Sequence, residues 1–100
     1  MQFLIDRLPE TAETFTQMRA SIFKDGALDQ KTKELIAVVS SVLMRCERCT
    51  KIHSQRALDN GSTKDEIAEA ISVAMFISAG SQLNWTDAYN DIFEDSDEMA

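Results

Sequence analysis

The chain has two cysteines and one histidine, and all three fall in the run Cys46-Glu47-Arg48-Cys49-Thr50-Lys51-Ile52-His53. At or near a helix start, Cys46 and Cys49 stand on neighbouring turns, close enough to form a disulfide. The unpaired amides of such a helix end favour thiolate over thiol. His53 lies four residues beyond Cys49, so both side chains project from one helical face, and imidazole exchanges a proton near neutral pH. These spacings point to a redox pair with His53 as the general base for Cys49.

A carboxylate that orients the imidazole, or a water bridging to it, would complete a proton relay, and Glu34 is the candidate. Twelve helical steps separate Glu34 from Cys46, a rotation of about 120° away from alignment, so the chain must turn between them for one site to assemble. Glu47 is the competing carboxylate, but at a helix start an acidic residue ordinarily complements the dipole and stays solvated. Arg48 carries a charge able to stabilise a Cys49 thiolate, against the plainer reading of a solvent-facing arginine or an interface partner. Zinc would find two sulfurs, a nitrogen and an oxygen in Cys46, Cys49, His53 and Glu34. Structural zinc sites, however, usually draw their ligands from two separated pairs, so metal is the weaker reading. There is no glycine-rich phosphate loop, and no cofactor is expected.

With 100 residues and 44% hydrophobic content the chain has the size of a single domain. A domain this short buries only about two thirds of its unfolded surface, so association with further copies would help it. Ten basic residues against 17 acidic ones give a formal charge of −7, which repels phosphate backbones and anionic headgroups and argues against nucleic acid or a membrane surface as partner. No export signal and no run of apolar residues long enough to span a bilayer is evident, so the expectation is a cytoplasmic protein. In a reducing cytosol a cysteine pair with so short a loop is chemical rather than a permanent staple. The acidic stretch Glu94-Asp95-Ser96-Asp97-Glu98 reads as a frayed, solubilising tail over residues 94–100.

The elements that must position these groups read as helices throughout. Phe15, Met18, Ile22 and Phe23 place an apolar stripe on a helix from Glu10 to Phe23. Asp29 caps a second helix carrying Leu35, Ile36, Val38, Val39, Val42 and Leu43. A third spans Cys46 to Asn60, stopped by Asn60-Gly61 in left-handed conformation. Thr63 and Glu66 form a capping box that opens a fourth helix through Ile77. Gly80-Ser81 is expected to separate it from a last stretch with Leu83, Trp85, Tyr89, Ile92 and Phe93. The fold class is therefore all-α with about five helices, and the strand and helix alternation of a thioredoxin-like scaffold is absent.

On these residues the chain resembles the AhpD-like, carboxymuconolactone decarboxylase superfamily, whose redox members show a glutamate, a CxxC and a histidine four after the second cysteine. Glu34, Cys46, Cys49 and His53 match that pattern. The similarity runs from Pro9-Glu10 through Asp25-Gly26-Ala27-Leu28-Asp29 and Lys31-Thr32-Lys33-Glu34-Leu35-Ile36-Ala37 to Asn60-Gly61-Ser62-Thr63-Lys64-Asp65-Glu66-Ile67. The resemblance implies a helical subunit that assembles into homotrimers or homohexamers. It also implies a mechanism: Cys49 attacks a hydroperoxide or a disulfide after losing its proton through His53 and Glu34. Cys46 then resolves the product as a disulfide, and a separate thiol reductant restores the pair. Arg48 stands where the founding AhpD proteins carry a histidine, and those proteins have a second related helical unit, so this chain looks like the shorter, single-unit branch. Decarboxylating members are similar in fold but lack the CxxC pair, which disfavours that activity. The reading from a different class is a non-catalytic helical interaction module whose cysteines respond to redox state.

Overall fold

The computed structural model describes residues 1–94, which form six helices and no strand: α1 (Gln2–Arg7), α2 (Pro9–Phe23), α3 (Gln30–Leu43), α4 (Glu47–Asp59), α5 (Lys64–Asn84) and α6 (Ala88–Phe93). The protein is all-α. Beyond the elements expected from the sequence there is a short leading helix, α1. It ends at Leu8, whose φ of −136° and ψ of 66° leave the helical region, because Pro9 crowds the residue before it. Proline itself suits the first position of α2, where its missing N–H costs nothing. The acidic tail expected to fray lies, from Asp95 onward, outside the described residues.

Local signals set most helix ends. Asp29 Oδ1 accepts the Thr32 amide at 2.7 Å to start α3. Thr63 and Glu66 exchange side-chain and backbone hydrogen bonds at 2.9 and 3.1 Å to start α5. At the end of α4 the Ser62 amide donates to Ala57 O and the Gly61 amide to Leu58 O, with Gly61 at φ 95°; this is the Schellman closure that glycine favours. The same closure ends α3, where Cys46 N donates to Ser41 O and Arg45 N to Val42 O. There the left-handed residue is Arg45, at φ 57°, a conformation in which a side chain is strained.

One boundary differs from the expected one. α5 runs straight through Gly80 and Ser81 to Asn84, and the break falls at Trp85. An interior glycine costs a helix only about 1 kcal/mol relative to alanine. Side chains also tie the last turns together, with Ser81 Oγ donating to Ser78 O and Asn84 Nδ2 to Gly80 O.

The core is built where α3 packs against α4 and, less extensively, against α5. Val38 of α3, Ala57 of α4 and Ala74 of α5 are fully buried; small side chains on two of the three helices permit close approach. α1 packs on α2, and α2 touches α3 only lightly, so the two form an arm beside this unit. The consequence is an open chain of 61 × 38 × 25 Å with a radius of gyration of 19.7 Å, against about 13 Å for a compact chain of this length.

Candidate functional site

The site is assembled at the junction of α3 and α4. Two features bring it together: the Schellman turn at Met44 and Arg45, which reverses the chain, and the packing of α4 back along α3. Glu34 lies in the second turn of α3 and His53 in the second turn of α4, so the antiparallel return lays one over the other although they are 19 positions apart. Glu34 Oε2 and His53 Nδ1 are 2.7 Å apart. The carboxylate is almost wholly buried, at 3% exposure, and the imidazole side chain is 18% exposed.

A buried carboxylate needs a partner, because leaving it unpaired would cost several kcal/mol of lost hydration. His53 is that partner. A carboxylate only accepts hydrogen bonds, so with Glu34 ionised Nδ1 carries the proton and Nε2 is left as the basic nitrogen. The pair is the arrangement in which an acid fixes both the tautomer and the orientation of an imidazole.

One turn before His53, at the start of the same helix, Cys46 and Cys49 are joined as a disulfide with their Cα atoms 5.2 Å apart. Cys46 is the N-cap of α4: its Sγ accepts the Cys49 amide at 3.2 Å, and its carbonyl accepts the Thr50 hydroxyl at 2.9 Å. Both sulfurs therefore sit at the positive end of the helix dipole, where thiolate is favoured once the bond is reduced. Both cysteines are half-buried, which leaves the disulfide accessible to exchange.

The neighbouring charges take other parts. Glu47, in the first turn of α4, is exposed and pairs with Lys51 at 3.5 Å, itself exposed; it stays away from the Glu34 and His53 pair. Arg48 is exposed on the outer face of α4 beside Glu47, Lys51 and Ile52. Among the described residues no group of three or more His, Cys, Asp or Glu side chains converges as a metal-ligand set.

Two residues near the site were not singled out from the sequence. Phe23, at the end of α2, stacks on His53 with ring centroids 5.4 Å apart and planes inclined by 20°. Lys33, next to Glu34, donates from Nζ to Ile22 O and Lys24 O, each at 2.7 Å. Phe23 was legible only as one member of an apolar stripe, and nothing in its spacing distinguished it from Phe15 or Ile22. Lys33 reaches 9 and 11 positions back across the connection between α2 and α3, so no local rule pointed to its partners.

A crystal structure of a protein from Methanobacterium thermoautotrophicum superimposes with a TM-score of 0.78 at 43% identity, covering 84% of this chain and 97% of that one. An uncharacterised protein of the cox locus in Paracoccus denitrificans is 40% identical over 68 residues, 68% of this chain and 61% of the relative. Alkyl hydroperoxide reductase AhpD of Corynebacterium aurimucosum is 35% identical over 65 residues, 65% of this chain and 37% of the relative. The match thus spans less than two thirds of the length of both these curated relatives. The carboxymuconolactone decarboxylase family matches over residues 9–89, a span that holds α2 to α5, the disulfide and the Glu34 and His53 pair. The chain belongs to the carboxymuconolactone decarboxylase family.

Proposed function

We propose that this protein is a thiol-dependent peroxidase or disulfide oxidoreductase of the AhpD-like kind, in which Cys49 is the nucleophile, Cys46 the resolving thiol, His53 the proton acceptor and Glu34 the carboxylate that orients it. The observation that carries the reading is a buried Glu34 and His53 pair one turn from a disulfide at a helix start. Similarity to an alkyl hydroperoxide reductase at 35% identity over 65 residues supports it.

In the reduced protein His53 Nε2 takes the Cys49 proton, and the thiolate attacks the terminal oxygen of a hydroperoxide. The O–O bond breaks, Cys49 becomes a sulfenic acid, and the leaving alkoxide takes the proton back from the imidazolium to depart as an alcohol. The Cys46 thiol then displaces water from the sulfenic acid and forms the disulfide. An external dithiol reduces that disulfide by exchange and is itself oxidised. A disulfide substrate enters by the same thiolate attack.

The reading includes assembly of several copies, a homotrimer or homohexamer. Its support is the open shape together with Phe15, Met18 and Ile22 on α2 and Val73, Phe76 and Ile77 on α5, all half or more exposed. A lone protomer would leave these large apolar faces in water. Light scattering on the purified protein checks this, and a monomer at micromolar concentration would refute it. A cytoplasmic setting is part of the reading, since a working dithiol needs a reducing supply.

The test is consumption of an organic hydroperoxide with a panel of mono- and dithiol donors. Wild type should turn over with a dithiol, Cys49→Ser should be inactive, and Cys46→Ser should accumulate a sulfenic or mixed-disulfide species. Undiminished turnover in Cys49→Ser would remove that residue from the role assigned to it.

A further inference from the structure

We infer that Phe23 is a positioning residue for His53: its ring, held in place by Lys33, fixes the plane of the imidazole that Glu34 holds by its edge, and so makes Nε2 an effective acceptor for the Cys49 proton. The inference rests on the proton-transfer part of the proposed function and not on the identity of the substrate.

Three observations converge on this residue. The first is the stack, with centroids 5.4 Å apart and a 20° inclination. A single hydrogen bond at Nδ1 leaves an imidazole free to swing about that bond, because the terminal torsion of histidine is broad. A flat ring against its face removes that freedom. The second is the anchor. Lys33 Nζ binds Ile22 O and Lys24 O, the carbonyls on either side of Phe23. These are orphan acceptors at the C-terminus of α2, where a cation is doubly favourable. Lys33 and Glu34 are consecutive on α3, so one dipeptide ties down the backbone that carries the aromatic ring and supplies the other partner of the same imidazole. The third is placement. The ring stands between two open clefts, an apolar one reaching His53 past Ile36, Ala37 and Ser40, and a polar one reaching Glu34 past Arg19, Lys24 and Arg56. In that position it forms a wall of both clefts, beside the Glu34 and His53 hydrogen bond.

The arm explains why this is a role and not incidental packing. Phe15, Met18 and Ile22 on the same helix each remain about half exposed, and α2 touches α3 only lightly. Phe23 is the large apolar side chain of α2 that is drawn in, and what it meets is the histidine.

The test uses the full chain in a Cys46→Ser background, which isolates Cys49 while serine supplies a hydroxyl oxygen in place of the sulfur acceptor at the N-cap of α4. The measurement is the rate of Cys49 alkylation by iodoacetamide from pH 6 to pH 10. Phe23→Leu is expected to slow alkylation about fivefold or more at pH 7 and to converge on the background rate at pH 10, where the thiol ionises without help. Phe23→Tyr, which keeps the flat ring, should stay within twofold throughout. His53→Ala should show the same loss at pH 7, and adding Phe23→Leu to it should change nothing further. Equal slowing at both pH extremes, an effect that persists without His53, or a Phe23→Leu rate within twofold of background would each overturn the inference. A second measurement needs no variant: the His53 ring protons of the wild type should resonate upfield through the Phe23 ring current, and random-coil shifts would refute the stack in solution. Because alkylation needs no hydroperoxide, a protein that shows this pattern yet fails to consume any hydroperoxide would sink the peroxidase reading and leave the positioning role standing.

Discussion

Replacing Glu34 by glutamine is the sharpest probe of the relay, because it keeps the shape of the side chain and removes only its charge. Glu34 Oε2 lies 2.7 Å from His53 Nδ1, at 3% exposure, so the hydrogen bond is shielded and its charge-assisted character is retained. Such bonds contribute about 1.5–3 kcal/mol, and neutral ones about 0.5–1.5 kcal/mol. The substitution therefore removes about 1–2 kcal/mol of support for the imidazolium that forms as Cys49 loses its proton. At about 1.4 kcal/mol per tenfold in rate, the reduced protein should react with a hydroperoxide about 5–30 times more slowly. The assay is stopped-flow oxidation of fully reduced protein, in single turnover, so that the donor does not enter. Far-UV circular dichroism and the melting temperature confirm that the variant is folded. A folded Glu34→Gln variant that reacts within twofold of wild type would refute the relay, since nothing else in the substitution could restore the lost charge.

Further predictions concern stability. Arg45→Gly should stabilise by about 1 kcal/mol, because the left-handed φ of 57° costs a side-chain-bearing residue that order of energy and glycine nothing comparable; chemical denaturation measures it, and destabilisation would contradict the assigned strain. Val38→Ala should destabilise by about 2–3 kcal/mol, the transfer energy of the lost carbons plus the void left in the one fully buried large core position among the described residues. The pH dependence has a definite sign. The Lys31 ammonium at 2.8 Å, and then the Thr63 amide, hold the Glu66 carboxyl below its ordinary 4.5, and the hydrogen bond from Thr32 holds Asp29 below 3.8. A carboxyl depressed in the folded state stabilises above its unfolded value and loses that contribution as pH falls through its folded one. Melting temperature should therefore decline below about pH 4.5, and Glu66→Gln should flatten the upper part of that decline. The effect is modest, as both groups face solvent.

What the sequence by itself determined lies within one or two helical turns. The capping box of Thr63 and Glu66, the Asp29 cap, the left-handed Gly61 and the sharing of one helical face by Cys49 and His53 all follow from chemistry between residues three to five apart, and backbone geometry constrains such pairs whatever the rest of the chain does. Glu34 was reachable as a candidate, yet the spacing that named it also placed it off the cysteine face. Only the antiparallel return of α4 on α3, made possible by Val38, Ala57 and the turn at Arg45, carries its carboxylate to His53. The continuation of α5 through Gly80 was likewise hidden, because a glycine penalty of about 1 kcal/mol is decided by the ladder and side-chain bonds around it. Phe23 and Lys33 mark the boundary most plainly. Which aromatic of an apolar stripe meets the histidine depends on the angle at which the arm comes back to α3, and that angle is set by contacts between residues far apart in the chain, on which local periodicity is silent.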